Sequence, residues 1–211
     1  MRAKTRAVVD QFWAKLFGLT AEELHRPGTT AVQHAGLGDY PGIYVLMLGR
    51  SVIVSSPDEP SGEFTQVLGP SVHAYLDTVP DHRVDGIREA AYGELGRLRE
   101  VCGEAQWEES GFAEKPERCF VVDLDGQIVA ASNLTPWRGA PADVGVLVDP
   151  AFAGRGLGTG VAAAAAADAV RTAGMARYRA LETNTASLRI ATRLGFTPYG
   201  RNLALKPQKT G

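Results

Sequence analysis

The chain has 211 residues, which at roughly 150 residues per domain is one domain with a sizeable extension or two small domains. Hydrophobic residues make up 45% of it and charged residues 22%, a mixture that supports a buried core. No apolar run reaches the roughly 18 residues that span a bilayer, and the N-terminal segment lacks the apolar core of a signal peptide. The two cysteines cannot form a disulfide framework. The sequence therefore excludes an integral membrane protein and predicts a cytoplasmic protein that binds no membrane.

Charge is distributed unevenly along the chain. The net charge is −2, but residues 151–211 hold nine Lys and Arg against two acids, which is +7 and leaves −9 for residues 1–150. The even overall balance argues against a nucleic acid as partner. A basic C-terminal third predicts a local anionic ligand, whereas solvated arginine-bearing helix faces are an alternative that charge alone leaves open.

The N-terminal part begins with helical signals. Apolar residues recur at helical spacing over residues 1–19, and Gly18 ends the pattern. Thr20 and Glu23 have the spacing of a capping box, which predicts a short second helix. Residues 28–42 are rich in turn-forming residues.

Strand signals follow these helices. Residues 43–48 and 51–55 read as a hairpin that turns at Gly49-Arg50. The polar, proline-containing stretch at 78–83 is the predicted linker. We therefore expect a smaller α/β extension at residues 1–80 and a second domain at residues 81–211.

The second domain starts with alternating strand and helix signals. The predicted elements are a strand, two helices and a later strand, at residues 84–88, 92–101, 104–110 and 142–148. Between them, residues 119–124 and 127–132 form a hairpin, because Asp125-Gly126 is a preferred type I′ turn pair. In the strand at 142–148, period-2 alternation places Asp143 on the face opposite Val144.

A glycine-rich loop follows that last strand and leads into a helix. Glycines alternate over seven residues, at Gly154, Gly156, Gly158 and Gly160. Glycine lets backbone N–H groups converge on a ligand, and a helix N-terminus adds positive potential. A diphosphate is the natural occupant, and a plain glycine-rich turn before a good helix former is the competing interpretation. The helix runs to about Thr172.

The spacing of these glycines separates them from two common phosphate loops. The pattern G-x-x-x-x-G-K-[ST] is absent. The dinucleotide pattern G-x-G-x-x-G fails in both frames, because Thr159 and Val161 stand where the third glycine belongs. A nucleotide-binding oxidoreductase is therefore the weaker hypothesis.

Two segments of the chain resemble the GNAT (Gcn5-related) N-acetyltransferases. Val148-Asp-Pro-Ala-Phe-Ala-Gly-Arg-Gly-Leu-Gly158 follows the family pattern V-x-P-x-[YF]-R-G-x-G-[ILV]-G, with Ala153 in place of the usual Arg or Gln. Asn184-Thr-Ala-Ser-Leu-Arg-Ile-Ala-Thr-Arg-Leu-Gly-Phe196 follows N-x-x-[AS]-[IL]-x-[LI]-Y-x-[KR]-x-G-F, with Ala191 in place of tyrosine. The resemblance covers residues 84–206.

The resemblance implies a fold and a cofactor site. The expected fold is α/β, with a mixed, mostly antiparallel sheet that contains two splayed parallel strands, preceded by the smaller α/β extension. Acetyl-CoA, with no metal, is expected between the splayed strands at 142–148 and 178–183. By resemblance, the cofactor-binding residues are Val146 and Val148 for the pantetheine arm, Gly154, Arg155, Gly156, Gly158 and Thr159 for the pyrophosphate, and Asn184 and Ser187 beyond the second strand.

The resemblance also implies an activity: transfer of an acetyl group from acetyl-CoA to a primary amine of a small molecule or peptide, by direct attack. Such an amine is protonated at neutral pH, with a pKa of about 10.4, so a base must take its proton. Asp143 is the first candidate and Glu108 the second, and for each a solvated structural carboxylate is the alternative. Ala153 and Ala191 favour a competing hypothesis, an acyl-CoA-binding module with little or no catalysis.

The remaining candidate chemistry is sparse. The four histidines all precede residue 83 and lack the spacing of metal ligands, so no metal site is predicted. The sequence leaves open the acceptor, the acyl-chain length and the oligomeric state, with a homodimer as one alternative.

Overall fold

The computed structural model describes residues 1–58, 64–82 and 85–207. The chain forms two compact units, each assembled from more than one stretch of sequence. The first unit contains Met1–His73, Ala180–Asn184 and the chain from Pro198 onward, and the second contains Ala74–Arg179 and Thr185–Thr197. The chain thus returns to the first unit with its last strand, and a single boundary at residue 80 stays a prediction.

The helices and strands of the described residues have the following bounds. The helices are α1 Ala3–Phe17, α2 Ala21–Leu24, α3 Gly96–Cys102, α4 Glu104–Glu109, α5 Leu157–Ala173 and α6 Thr185–Arg193. The strands are β1 Gly28–Gln33, β2 Ile43–Leu48, β3 Ser51–Ser56, β4 Phe64–Leu76, β5 Ile87–Ala90, β6 Cys119–Leu124, β7 Gln127–Trp137, β8 Ala140–Val148, β9 Ala176–Leu181 and β10 Thr197–Pro207. Within the described residues, no helix is both long enough and apolar enough to cross a membrane.

The first unit is a helix packed on strands in the order β1-β3-β2-β10-β4. β1 is parallel to β3, whereas β2 is antiparallel to both β3 and β10. In α1, Trp13 packs edge-on against His73 of β4 with ring centroids 4.9 Å apart, and Phe17 lies 6.0 Å from Tyr44 of β2. Large aromatic side chains therefore hold this helix on its sheet.

The local predictions for the first unit are confirmed, and long-range pairing adds strands to them. Helix α1 ends at Gly18 with a φ of +67°, and the capping box of Thr20 and Glu23 is present. The turn-rich region at 28–42 also contains β1, which pairs with β3 instead of standing alone. The sequence analysis predicts neither β4 nor β10, whose strand patterns are interrupted by Gly69-Pro70 and Pro198.

The second unit has strands in the order β9-β8-β7-β6-β5. β8 and β9 are parallel, and the β5–β6, β6–β7 and β7–β8 pairs are antiparallel. The sheet is thus mixed and mostly antiparallel, as expected. The predicted β6–β7 hairpin is confirmed as type I′, because Asp125 and Gly126 both have positive φ. Val84, in the strand predicted at 84–88, lies outside the described residues, and β5 begins at Ile87.

Helices cover both faces of this second sheet. On one face Leu147 of β8 belongs to a buried cluster with Leu98 of α3 and Trp107 of α4. On the other face Val146 packs in a cluster that contains Val161 of α5. Successive residues of β8 therefore point to opposite helical layers, which confirms the predicted period-2 alternation.

The two cysteines are core residues, and we expect them to be unreactive in the folded protein. Cys119 is fully buried, and burial raises the pKa of its thiol to about 11. At pH 8 only about 0.1% of such a thiol is ionised, and the thiolate is the nucleophile. Ellman's reagent should therefore modify Cys119 and Cys102 slowly in the native protein and both at once in guanidinium. Rapid modification of Cys119 under native conditions would contradict its placement in the core.

Candidate active site

The two parallel strands of the second unit diverge soon after they meet. β8 pairs with β9 only at Asp143 with Arg177 and at Val144 with Tyr178. Beyond these pairs β8 continues to Val148 without pairing with β9. The strands therefore form a fork, and no strand among the described residues pairs with the edge of β8 beyond it on the β9 side.

Two backbone amides point into this fork. The Asp149 amide donates to the Val129 carbonyl oxygen at 2.9 Å, so residue 149 bonds toward β7. In an antiparallel ladder the bonded residues alternate, which directs the N–H groups of Val146 and Val148 away from β7. An extended ligand in the fork can therefore add to β8 as an extra strand would.

Side chains of β7 hold β8 in place beside the fork. The Gly145 amide donates to Asn133 Oδ1 at 3.1 Å, and Ser132 Oγ donates to the Gly145 carbonyl at 2.7 Å. Asn133 Nδ2 in turn donates to the Ser110 carbonyl at 3.0 Å, at the end of α4. The sequence analysis does not assign Ser132 or Asn133 to the site. The available signal is a Ser-Asn pair directly after the apolar run at residues 128–131.

The glycine-rich loop ends in a helix start with free backbone donors. Gly154 and Gly156 have φ values of +78° and +81°, a conformation that favours glycine. Helix α5 begins at Leu157, and Gly156 provides no side-chain cap. The first bond of the helix is from the Gly160 amide to the Gly156 carbonyl. The amides of the first turn therefore remain available to an anion.

A cavity of about 830 Å³ lies against this helix start. Its volume is within the range of small-molecule sites, roughly 300–1,000 Å³. One wall contains five of the predicted cofactor-binding residues, namely Val148, Gly154, Gly156, Gly158 and Thr159. Another wall is α6, which contributes residues that include Arg189, Ile190 and Arg193. Sequence reasoning did not assign these α6 residues to the site.

The other four predicted cofactor-binding residues do not line this cavity: Val146, Arg155, Asn184 and Ser187. The Arg155 guanidinium lies over the Phe152 ring, 4.9 Å from its centroid. The Ser187 hydroxyl is 2.9 Å from the hydroxyl of Tyr178, and burial raises the pKa of Tyr178 to about 12. Asn184 belongs to the first unit. Their roles toward a cofactor stay predictions.

The two candidate bases lie in different environments. Asp143 forms an ion pair with Arg177 across the mouth of the fork, with 2.6 Å between Oδ2 and the guanidinium, and both side chains are largely buried. Burial raises the pKa of the Asp143 carboxyl above that of an ordinary aspartate, and Arg177 and Arg179 oppose this shift. Its Oδ1 atom is buried with no hydrogen-bond partner among the described residues. Glu108, in contrast, is exposed on α4.

The start of α5 packs closely against β8 at the fork. A Cβ atom on Gly158 would lie 3.0 Å from Val148 Cγ2 and 3.1 Å from Ile190 Cδ1. The start of α5 therefore touches both β8 and α6. Ala191 on α6 is buried and carries no titratable group. Within the described residues, no three His, Cys, Asp or Glu side chains come together as metal ligands.

Comparison with known families identifies the family of this chain. The model of the acetyltransferase (GNAT) family matches residues 84–196, which is more than half of the chain. The chain belongs to the GNAT family of acetyltransferases. A search of curated proteins found no match.

Solved structures share the fold at low sequence identity. A GNAT-family acetyltransferase structure from Novosphingobium aromaticivorans is 19% identical with a TM-score of 0.55, over 82% of this chain and 77% of that one. A GNAT-family acetyltransferase from Colwellia psychrerythraea is 16% identical with a TM-score of 0.52, over 69% and 58%. A tandem GNAT protein from the clavulanic acid biosynthesis pathway is 16% identical with a TM-score of 0.50, over 77% and 63%. At these identities the likeness shows the fold.

Replacing Gly145 by alanine should destabilise the second unit. A Cβ atom there would overlap the Ser110 carbonyl oxygen, so β8 or the end of α4 must move. Overpacking of this kind costs roughly 1–3 kcal/mol, and each kcal/mol lowers the Tm of a chain this size by about 2–4 °C. Gly93→Ala is the matched control, because the added Cβ meets no atom within 4 Å. Equal melting temperatures for the two variants would contradict the described approach of β8.

Proposed function

We propose that this GNAT protein transfers an acetyl group from acetyl-CoA to a primary amine. The observation that carries the proposal is a pair of neighbouring groups of backbone donors, at Val146 and Val148 on the fork and at the uncapped start of α5, which packs against Val148. These donors match the polar groups of a CoA thioester, because a pantetheine arm contains amides and a diphosphate accepts several hydrogen bonds. Amide donors at a helix start and strand addition at a sheet edge are general ways to bind these groups.

The proposed reaction exchanges one acyl bond for another. The amine nitrogen attacks the thioester carbonyl carbon, the C–N bond forms, and the C–S bond breaks to release CoA as a thiolate. The Val146 amide, which points into the fork, is the proposed donor to the negative charge that develops on the carbonyl oxygen. The proton lost by the amine goes to a protein base, directly or through water.

Asp143 is better placed than Glu108 to be this base. It lies at the mouth of the fork, where β8 and β9 separate, and its raised pKa brings it nearer to the pH at which it must work. Arg177 holds Oδ2, so Oδ1 is the atom proposed to accept the proton. Glu108 is exposed, and the competing explanation for it is a solvated surface carboxylate without a catalytic role.

The proton donor to the leaving thiolate is proposed to be water or the substrate ammonium. Ala191 has no proton to give. Tyr199, the nearest tyrosine after it in the sequence, donates its hydroxyl to Asp10 at 2.7 Å within the first unit. A thiolate is a good leaving group, so the loss of an acid is modest in cost, roughly tenfold to a hundredfold.

Binding of CoA should depend on the glycine at the start of α5. At a concentration of 100 times its Kd, CoA stabilises the native state by about 2.7 kcal/mol and should raise the Tm by about 5–10 °C. Gly156→Asp should abolish this rise, because a carboxylate there repels phosphate. Gly174→Asp is the matched control at the other end of the same helix, since both glycines have positive φ and open space around them. If both variants keep the rise, the loop assignment is wrong.

Catalysis should depend on Asp143 more than on Glu108. With saturating acetyl-CoA and an amine, Asp143→Asn should lower kcat by about 10²–10⁴-fold while Kd for acetyl-CoA is retained, and Glu108→Gln should change kcat little. In the wild type, kcat should fall as the pH drops through the raised pKa of Asp143. Since breaking a buried ion pair costs roughly 3–5 kcal/mol, folding of Asp143→Asn must be confirmed by its melting curve.

The same assay separates the transferase from the competing binding module. Free thiol is released only when the acyl group is transferred. A wild-type protein that binds acetyl-CoA but releases no thiol with any amine in a broad panel would support the module with little or no catalysis, which Ala153 and Ala191 favour. A large loss of kcat in Glu108→Gln alone would assign the base to Glu108.

A further inference from the structure

Two arginines of α6 face the cavity together. Arg189 and Arg193 both belong to its wall and are exposed. They are four residues apart on one helix, so their side chains leave the same face as neighbours. Neither forms an ion pair with any residue that the structure describes. The wall thus presents two adjacent positive charges.

This arrangement differs from that of other arginines in the same unit. Arg88, Arg97, Arg99 and Arg118 each lie within 3.1 Å of a carboxylate oxygen. Like charges four residues apart on a helix repel each other, and this repulsion is relieved when an anion binds between them. The residues that line the cavity include these two cations and no Asp or Glu. The cavity therefore favours an anionic ligand on its α6 side.

The arginines lie on a different wall from the backbone donors at the loop. Ile190, which follows Arg189, touches the start of α5 at the Gly158 position. The two arginines flank this contact on α6, and the loop has Ala153 where Arg or Gln is usual in the family. The cavity thus contains two kinds of anion-binding group: neutral amides on one side and paired guanidinium groups on the other.

We propose that Arg189 and Arg193 form a second phosphate subsite, which binds the ribose 3′-phosphate of CoA and selects CoA over 3′-dephospho-CoA. The inference rests on the proposed function. A phosphomonoester carries a charge of about −1.5 to −2 near neutral pH, which two guanidinium groups match. Each phosphate of the diphosphate carries a single charge, which the neutral amides at the helix start accommodate. Arginine also binds phosphate in a bidentate manner, through two parallel hydrogen bonds.

The test compares Kd for CoA and for 3′-dephospho-CoA by isothermal titration calorimetry. The wild type should bind CoA about tenfold or more tightly than dephospho-CoA, which is the scale of one charge-assisted interaction. Arg189→Gln and Arg193→Gln should each reduce this ratio toward one by weakening CoA alone, and the ratio should fall with added salt. Arg171→Gln, on the exposed last turn of α5, removes the same charge outside the cavity and should leave the ratio unchanged.

Three results would overturn the inference. Equal weakening of both ligands by the Arg189 and Arg193 variants would mean that the arginines bind the shared diphosphate. An unchanged ratio in both variants would mean that they bind neither phosphate. A wild-type protein that binds neither compound would refute the proposed function itself, and with it this subsite.

Discussion

The separation of β8 from β9 is the constraint on which the candidate site depends. Hydrogen bonds of a sheet normally occupy both edges of an internal strand, but β8 keeps its β9 partner only through Val144. The amides of Val146 and Val148 consequently face an opening instead of a neighbouring strand. An unpaired donor in a folded protein is satisfied by water or by a ligand, so these amides are the groups that the fork offers to a ligand in the proposed function.

Three features keep the fork open and aligned with the cavity. Ser132 and Asn133 bond the backbone of Gly145 to β7, so β8 follows its antiparallel neighbour beyond the point where β9 leaves. Gly158 lets α5 approach β8 closely, which brings the helix start alongside the strand end. The Asp143–Arg177 ion pair joins the two strands at the pair that precedes their last one, Val144 with Tyr178. The donors of β8 and those at the start of α5 therefore lie on elements that touch each other.

The two faces of β8 have different chemistry, and each suits a different part of the proposed reaction. The face toward α5 is apolar, with Val146 and Val148 packed in a cluster that contains Val161. The face that carries Leu147 toward α3 and α4 also carries Asp143, whose carboxyl is largely buried and paired with Arg177. In the proposed reaction, neutral backbone donors bind the cofactor and the buried Asp143 carboxylate accepts the proton. Different groups therefore perform binding and proton transfer.

The sequence by itself determined the features whose chemistry is local. The glycines of the loop, the type I′ turn at Asp125-Gly126 and the capping box at Thr20 each depend on the conformations of a few adjacent residues, and the family motifs extend this to the fold of residues 84–196. Only the tertiary structure decided pairings between distant residues: β1 with β3, Tyr178 with Ser187, and the two α6 arginines with the cavity. Periodicity predicts which residues of one element share a face. Packing determines which distant residues become partners, and no local sequence pattern contains that information.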